Sequence, residues 1–219
     1  MPAEILKTKV YRRTKTFVGL GGFVLVWVNL GMPVAVNLPW HVTFPTWVTV
    51  GAVALVTTLV AALDSLPGDR VKAALVFWRW KNPLPGTHAF EKATLSSDPR
   101  ISVNRLRARL GGAFPRAPQE QNSAWYRLYK EVEESPQVSG THYEYLLFRD
   151  LAWFSVILTV LGVLSIPINR HHWREILGFV GVAAVFDALL MRAAAERGGR
   201  LVRSVLAIAS TQQPEKSEK

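Results

Sequence analysis

The sequence of 219 residues contains no cysteine. This absence excludes a disulfide framework, a thiolate metal site and a cysteine nucleophile. The sequence also has no glycine-rich phosphate loop, dinucleotide-binding fingerprint, zinc-protease helix motif or serine-hydrolase elbow. The adjacent residues His171 and His172 do not share a helix face, and a solvated outer loop is the favoured interpretation for them. We therefore expect no catalytic residues, no metal and no cofactor, and we predict that the chain is not an enzyme.

Acidic residues are also scarce, with 16 Asp and Glu against 26 Lys and Arg, so the formal net charge is +10. Such an excess of basic residues is typical of nucleic-acid-binding proteins. However, 49% of the residues are hydrophobic and the mean hydropathy is +0.15, which is unusual for a soluble basic protein. The same apolar content excludes intrinsic disorder. The distribution of charge along the chain must decide between the remaining classes.

The apolar residues are concentrated in four blocks of roughly 20 residues, the length that crosses a bilayer as a helix. A buried helix of a soluble protein would show polar positions at the helical period, yet Asn29 is the one strongly polar residue of the first block. The alternative of four buried soluble helices is therefore disfavoured. We predict an all-α, polytopic membrane protein with four transmembrane helices in two hairpins, 17–36 with 45–66 and 151–168 with 176–195.

Basic residues lie almost entirely on one side of this topology. Residues 1–16 contain five, residues 67–150 contain thirteen and residues 192–219 contain six, whereas the links 37–44 and 169–175 contain none and two. Segments rich in Lys and Arg stay on the cytoplasmic side of a membrane. We predict a multi-pass protein of the bacterial inner membrane with both termini cytoplasmic.

Between the hairpins, residues 67–150 are predicted to form a small helical cytoplasmic insert. Residues 70–81 either extend the second span or lie along the membrane surface. A short helix opens at Ser102 and ends at Gly111 and Gly112, a longer helix covers 118–134, and residues 138–150 form a stem that continues into the third span. Residues 1–16 and 196–219 are expected to be a basic cytoplasmic N-terminus and a cytoplasmic tail.

Intramembrane polar residues are costly and are often functional. Asp187 lies inside the fourth block and Arg192 near its inner end. One interpretation pairs Asp187 with Arg192, or places it at the interface of a tilted helix. The other interpretation is a carboxylate that lines a pore or binds a cation, with Arg192 and Asn29 as further polar groups of the same site.

The insert also contains basic and aromatic residues that are suited to contact a partner or lipid headgroups: Arg105, Arg107, Arg109, Trp125, Tyr126 and Tyr129. Nucleic acid is a disfavoured partner, because the insert has thirteen basic against nine acidic residues and would lie beside anionic headgroups that attract basic side chains.

These observations favour a non-enzymatic membrane module. Its spans would anchor it in the bilayer and form a homo-oligomer through small residues such as Gly181, Ala184 and Ala188. Its basic insert would dock a cytoplasmic protein partner or sense a signal. The alternative is a homo-oligomeric ion channel or a membrane-permeabilising effector, for example in a bacterial antiviral defence system. That alternative depends on the predicted four-span architecture and on the predicted intramembrane position of Asp187.

Overall fold

The computed structural model describes residues 62, 67–167, 170 and 173–211. The predicted spans 17–36 and 45–66 lie outside these residues, except for Ala62. Within the described part every regular element is a helix and no strand occurs, which confirms the all-α class. Two described helices are long and apolar enough to cross a membrane, so two of the four predicted spans have this support.

We number the helices of the described part in chain order, and a single 3-10 turn, Pro85–His88, lies between the first two. The helices are α1 (Asp69–Phe77), α2 (Lys92–Ser96), α3 (Val103–Arg109), α4 (Pro118–Val132), α5 (Pro136–Ser165) and α6 (Trp173–Thr211). The two long helices, α5 and α6, pack along each other as a hairpin. The shorter helices form a lobe at the cytoplasmic end predicted for this hairpin.

The first helix of the insert is shorter than residues 70–81. It ends at Phe77, because Trp78 adopts a left-handed conformation with φ of 53°, which a residue with a side chain takes at the end of a helix rather than within it. Both Trp78 and Trp80 are exposed beyond this turn. The segment therefore presents two indole rings to the surroundings at the predicted membrane boundary.

The predicted stem is confirmed, because α5 runs without a break from the lobe into the third apolar block. Ser135 caps its first turn by accepting a hydrogen bond from the Val138 amide at 3.3 Å, and Pro136 occupies the first helical position. Further along the hairpin, Gly162 lets α6 approach, because a Cβ atom there would lie 3.3 Å from Val180 Cγ2.

The largest difference from the sequence-based expectation lies in α6. The apolar block ends near Ala195, but the helix continues to Thr211 and contains 39 residues. The pair Gly198 and Gly199 would ordinarily favour a helix end. In the structure Gly198 is a packing position instead, since a Cβ atom there would lie 2.7 Å from the Phe77 ring.

The last turns of α6 form the centre of the lobe. Leu201, Val202, Val205 and Leu206 are buried against side chains of α3 and α4. The short helix predicted from Ser102 is present as α3, and its central Leu106 is fully buried. The other faces of the lobe core come from these residues: Phe90, Leu95, Ile101, Ala124, Trp125, Leu128, Tyr129 and Val132.

Candidate functional site

The predicted intramembrane carboxylate, Asp187, is 5% exposed and lies between α5 and α6. The Ser155 hydroxyl donates a hydrogen bond to Asp187 Oδ1, and Thr159 Oγ1 donates to Oδ2 at 2.8 Å. Ser155 and Thr159 are four residues apart on α5 and so share one helix face. Because an ionisable group among apolar residues is costly without partners, the two hydroxyls fix Asp187 and tie α6 to α5.

The structure does not bring the three predicted intramembrane residues together. Arg192 pairs with Glu196 at 2.8 Å along the outside of α6, where both side chains are exposed. It therefore does not supply the partner of Asp187, whose bonds go to the neighbouring helix. Asn29 lies outside the described residues.

A buried charge cluster, which the sequence analysis did not identify, lies where the lobe meets the hairpin. We call Asp69, Lys72, Arg149 and Asp150 the boundary cluster. Asp150 Oδ1 accepts from Lys72 Nζ at 3.4 Å and from Arg149 Nη2 at 3.1 Å, and Arg149 Nη1 is 3.0 Å from Asp69 Oδ1. Lys72, Arg149 and Asp150 are all buried, whereas the Asp69 side chain is largely exposed.

The boundary cluster has two positive and two negative side chains. A buried ion becomes very unfavourable when its partner is removed, because its charge is then left uncompensated away from water. The cluster therefore fastens α1 to α5 at one defined relative position. The sequence signal for it is the pair Arg149 and Asp150 immediately before an apolar block, but the third buried member, Lys72, is 78 residues from Asp150.

Two of the six predicted contact residues are core residues of the lobe. Trp125 and Tyr129 are buried, and their ring centroids are 5.7 Å apart in a stacked arrangement. The Tyr129 hydroxyl lies 2.8 Å from His142 Nδ1, which links α4 to α5. Gly86 lies directly against the Trp125 ring, where a Cβ atom would be 2.6 Å from Cε3. Their helical periodicity therefore reflects internal packing.

The three arginines of α3 also differ in accessibility: one makes contacts within the fold and two are exposed. Arg109 Nη1 donates to the Ala209 carbonyl oxygen at 2.7 Å, and Nη2 pairs with Glu131, so this side chain joins α3 to both α4 and α6. Arg105 and Arg107 are exposed, and the Arg107 guanidinium lies 5.5 Å from the centre of the Phe114 ring. Tyr126 is half exposed. The accessible members of the predicted set are therefore Arg105, Arg107 and Tyr126.

Among the described residues, no group of three His, Asp or Glu side chains is arranged to hold a metal ion. The pair His171 and His172 lies outside the described residues. Comparison with protein-family models, with curated proteins and with solved structures finds no match to this chain.

Proposed function

We propose that the chain is an integral protein of the bacterial inner membrane that holds a helical lobe at the cytoplasmic surface, where the lobe docks a protein partner. The observation that carries the proposal is the continuity of α6. This helix of 39 residues is about 58 Å long at 1.5 Å per residue, roughly twice the thickness of a bilayer's hydrocarbon core. One helix can therefore cross the membrane and still reach the centre of the lobe.

The surroundings of α6 support the membrane location of its first half. Val182, Val185 and Leu189 are 72%, 64% and 63% exposed, and 22% of the most apolar stretch of α6 is buried within the chain. The core helix of a soluble protein would be mostly buried, because exposing such side chains to water is unfavourable. A lipid environment, or further protein within it, accounts for an apolar surface of this length.

The attachment of the lobe supports a docking or sensing function more than a passive anchor. The boundary cluster and the close contact of Gly198 with Phe77 join α1 of the lobe to the two helices of the hairpin. The ion pair of Arg197 with Glu144 holds those two helices together at the same end. Because α6 is unbroken, a displacement of its buried end by a partner would be transmitted to the intramembrane half. We propose Arg105, Arg107 and Tyr126 as the residues that contact the partner, which should present acidic side chains to the two arginines.

Membrane insertion is tested by washing membranes that contain the full chain with alkaline carbonate. We expect the chain to remain with the membranes, because its apolar helices are held by lipid and not by headgroup charge alone. Release of the full chain into the wash would contradict the membrane part of the proposal.

Docking is tested by purifying the full chain from cells in a mild detergent and analysing what co-purifies at a stoichiometric ratio. We expect one cytoplasmic protein with the wild type, and its loss in the double variant Arg105→Glu, Arg107→Glu. The matched control is Lys81→Glu with Lys92→Glu, which removes two exposed basic residues outside α3 and α4. A stoichiometric protein that is equally retained by both double variants, or none with the wild type, would contradict the docking proposal.

Homo-oligomerisation through the spans is proposed on one further observation. Gly181, Ala184 and Ala188 follow one face of α6 and are exposed, and nothing lies within 4 Å of a Cβ atom built at Gly181. Small residues allow close helix approach in a membrane.

The alternative function, an oligomeric channel, is supported by the buried Asp187, although both of its hydroxyl partners come from the same chain. We rank it second for that reason.

A further inference from the structure

A groove of about 480 Å3 runs along one face of α6. Its opposite wall is formed by the end of α1, the segment around the 3-10 turn and Thr94 of α2. The wall on α6 extends from Ala188 to Arg203 through residues three and four positions apart, which is the spacing of a single helix face. At 1.5 Å per residue, the groove follows α6 for about 22 Å.

The two ends of the groove lie in different predicted environments. Ala188 and Met191 belong to the apolar block 176–195, which we propose to be within the membrane. Arg203 is part of the lobe. Trp78, also in the lining, is exposed at the level where indole rings are favoured beside lipid headgroups. The groove therefore crosses the proposed membrane boundary, apolar at one end and polar at the other.

The charged side chains that line the groove are all basic. Arg79, Arg192 and Arg203 contribute guanidinium groups, His88 contributes an imidazole ring, and no acidic residue is among the described lining residues. Arg192 and His88 pair with acidic neighbours outside the groove. Neither Arg79 nor Arg203 forms a salt bridge with a described residue, although the charge of Arg203 contributes weakly to lowering the pKa of Asp98 beside the groove. The groove therefore has an excess of positive charge and donors suited to phosphate oxygens.

We propose that this groove binds an anionic phospholipid of the cytoplasmic leaflet, with its phosphate at Arg79 and Arg203 and an acyl chain along Ala188 and Met191. The proposal rests on the membrane location proposed above and adds a ligand to it. An amphiphile fits better than a small anion, because a free phosphate would use the arginines and leave the apolar end empty. It also fits better than the basic N-terminus of this chain, whose residues 1–16 contain five basic side chains.

The experiment measures lipid binding to the full chain in detergent by native mass spectrometry, with phosphatidylglycerol and phosphatidylcholine of identical acyl chains. We expect the wild type to bind phosphatidylglycerol at least tenfold more tightly. In the variant Arg79→Gln, Arg203→Gln this preference should fall by about tenfold, since basic residues near the headgroup each attract anionic lipid. The matched control is Arg116→Gln with Arg127→Gln, which removes two exposed arginines that do not line the groove and should keep the preference.

A variant Arg79→Lys, Arg203→Lys keeps both charges and guards against misfolding as the cause of any loss. Retained preference in this variant, with loss in the glutamine variant, supports the proposal. Equal binding of the two lipids by the wild type, or an equal loss in the control variant, would overturn it. Displacement of phosphatidylglycerol by millimolar inorganic phosphate would identify a simple anion site and would also overturn it. Complete release of the chain by alkaline carbonate would contradict the proposed function itself, so the two failures are distinguishable.

Discussion

The two halves of α6 have similar side chains in opposite surroundings. Before Ala195 the helix exposes Val182 and Leu189, whereas beyond it Val205 and Leu206 are completely buried. Among the described helices, the first half packs along α5 and meets α1 only near Met191 and Ala194, whereas the second half is enclosed by α3, α4 and α5. Similar apolar residues therefore serve two functions on one helix. In the first half they form an outer surface that suits lipid, and in the second they form the core of a folded lobe.

This difference explains how a small insert acquires a stable fold. A lobe of this size has limited apolar surface to bury on its own. The last turns of α6 enter its centre and supply that surface from outside the insert. The lobe and the hairpin are consequently one structural unit. The substitutions below test whether the lobe depends on its buried contacts while the exposed half of α6 does not contribute to its stability.

The largest effect is expected at the boundary cluster, which joins α1 to α5 close to the level at which the two halves of α6 meet. Asp150→Asn leaves the buried Lys72 and Arg149 without their shared carboxylate. Breaking a buried ion pair from one side costs about 3–5 kcal/mol, measured as the free energy of unfolding of the lobe by denaturant titration in detergent. Asp69→Asn is the control, since its side chain is 79% exposed and should cost no more than about 1 kcal/mol. Equal losses in the two variants would contradict the claim that the buried carboxylate of Asp150 holds the cluster together.

The next effect compares the halves directly. Leu206→Ala should lower the free energy of unfolding of the lobe by about 2–5 kcal/mol, because it removes a fully buried side chain and leaves a cavity. Leu189→Ala in the exposed half should change it by less than about 0.5 kcal/mol. Both values come from the same denaturant titration. If Leu189→Ala were as destabilising as Leu206→Ala, the first half would also be packed inside protein.

A smaller effect distinguishes the glycines of the two halves. At Gly198 an added methyl group would meet the Phe77 ring at 2.7 Å, so Gly198→Ala should destabilise the lobe by about 1–3 kcal/mol through overpacking. At Gly181 nothing lies within 4 Å of the added atom. Gly181→Ala should therefore leave the lobe unchanged, as measured by the midpoint of thermal unfolding. If Gly198→Ala did not lower the stability of the lobe, the lobe would be less tightly packed on α6 than described.

The smallest effect concerns the pH dependence of the lobe. Hydrogen bonds from the Arg100 side chain, and secondarily its backbone amide, lower the pKa of Asp98 below the ordinary value of 3.8. A carboxylate with a lowered pKa stabilises the folded state above its unfolded pKa, and this contribution is lost as the pH falls through the folded pKa. Asp98→Asn should therefore be less stable than the wild type near neutral pH by about 1 kcal/mol or less.

The difference between wild type and Asp98→Asn should shrink progressively below about pH 4. Thermal unfolding of both proteins over an acidic pH series measures this difference. A substitution in the exposed half of α6, such as Leu189→Ala, should show no pH-dependent difference from the wild type. A gap that is independent of pH would mean that the carboxylate charge of Asp98 does not stabilise the lobe.

Local signals predicted local structure well. Ser102 occupies the N-cap position of α3 without a side-chain capping bond, and Gly111 and Gly112 follow the end of the helix with positive φ. Such signals are properties of a few adjacent residues. The predicted end of α4 was two residues late, at Glu134 instead of Val132. The sequence analysis did not predict the continuation of α6 beyond Ala195. Residues 197–200 contain two glycines between two arginines, which is a composition typical of a helix end. The structure shows instead that Gly198 is a packing position inside the helix.

The candidate site was less predictable, because its geometry depends on distant parts of the chain. The periodicity that includes Trp125 and Tyr129 correctly identified one helix face, but periodicity cannot say whether that face meets the chain itself or a partner. Asp187 was identified by its cost in an apolar helix, whereas its partners Ser155 and Thr159 depend on how α5 and α6 are rotated against each other. No sequence pattern links Lys72 to Asp150.

The central claim is that α6 crosses the membrane with its first half and enters the lobe with its second. Because the chain has no cysteine, single cysteines at Val182, Val185, Leu189 and Arg200 can carry spin labels without background. In lipid nanodiscs, we expect the first three labels to be accessible to oxygen and protected from a water-soluble nickel chelate. The label at Arg200, which is exposed on the lobe half, should show the reverse. Equal accessibility of all four labels to the nickel chelate would contradict the claim.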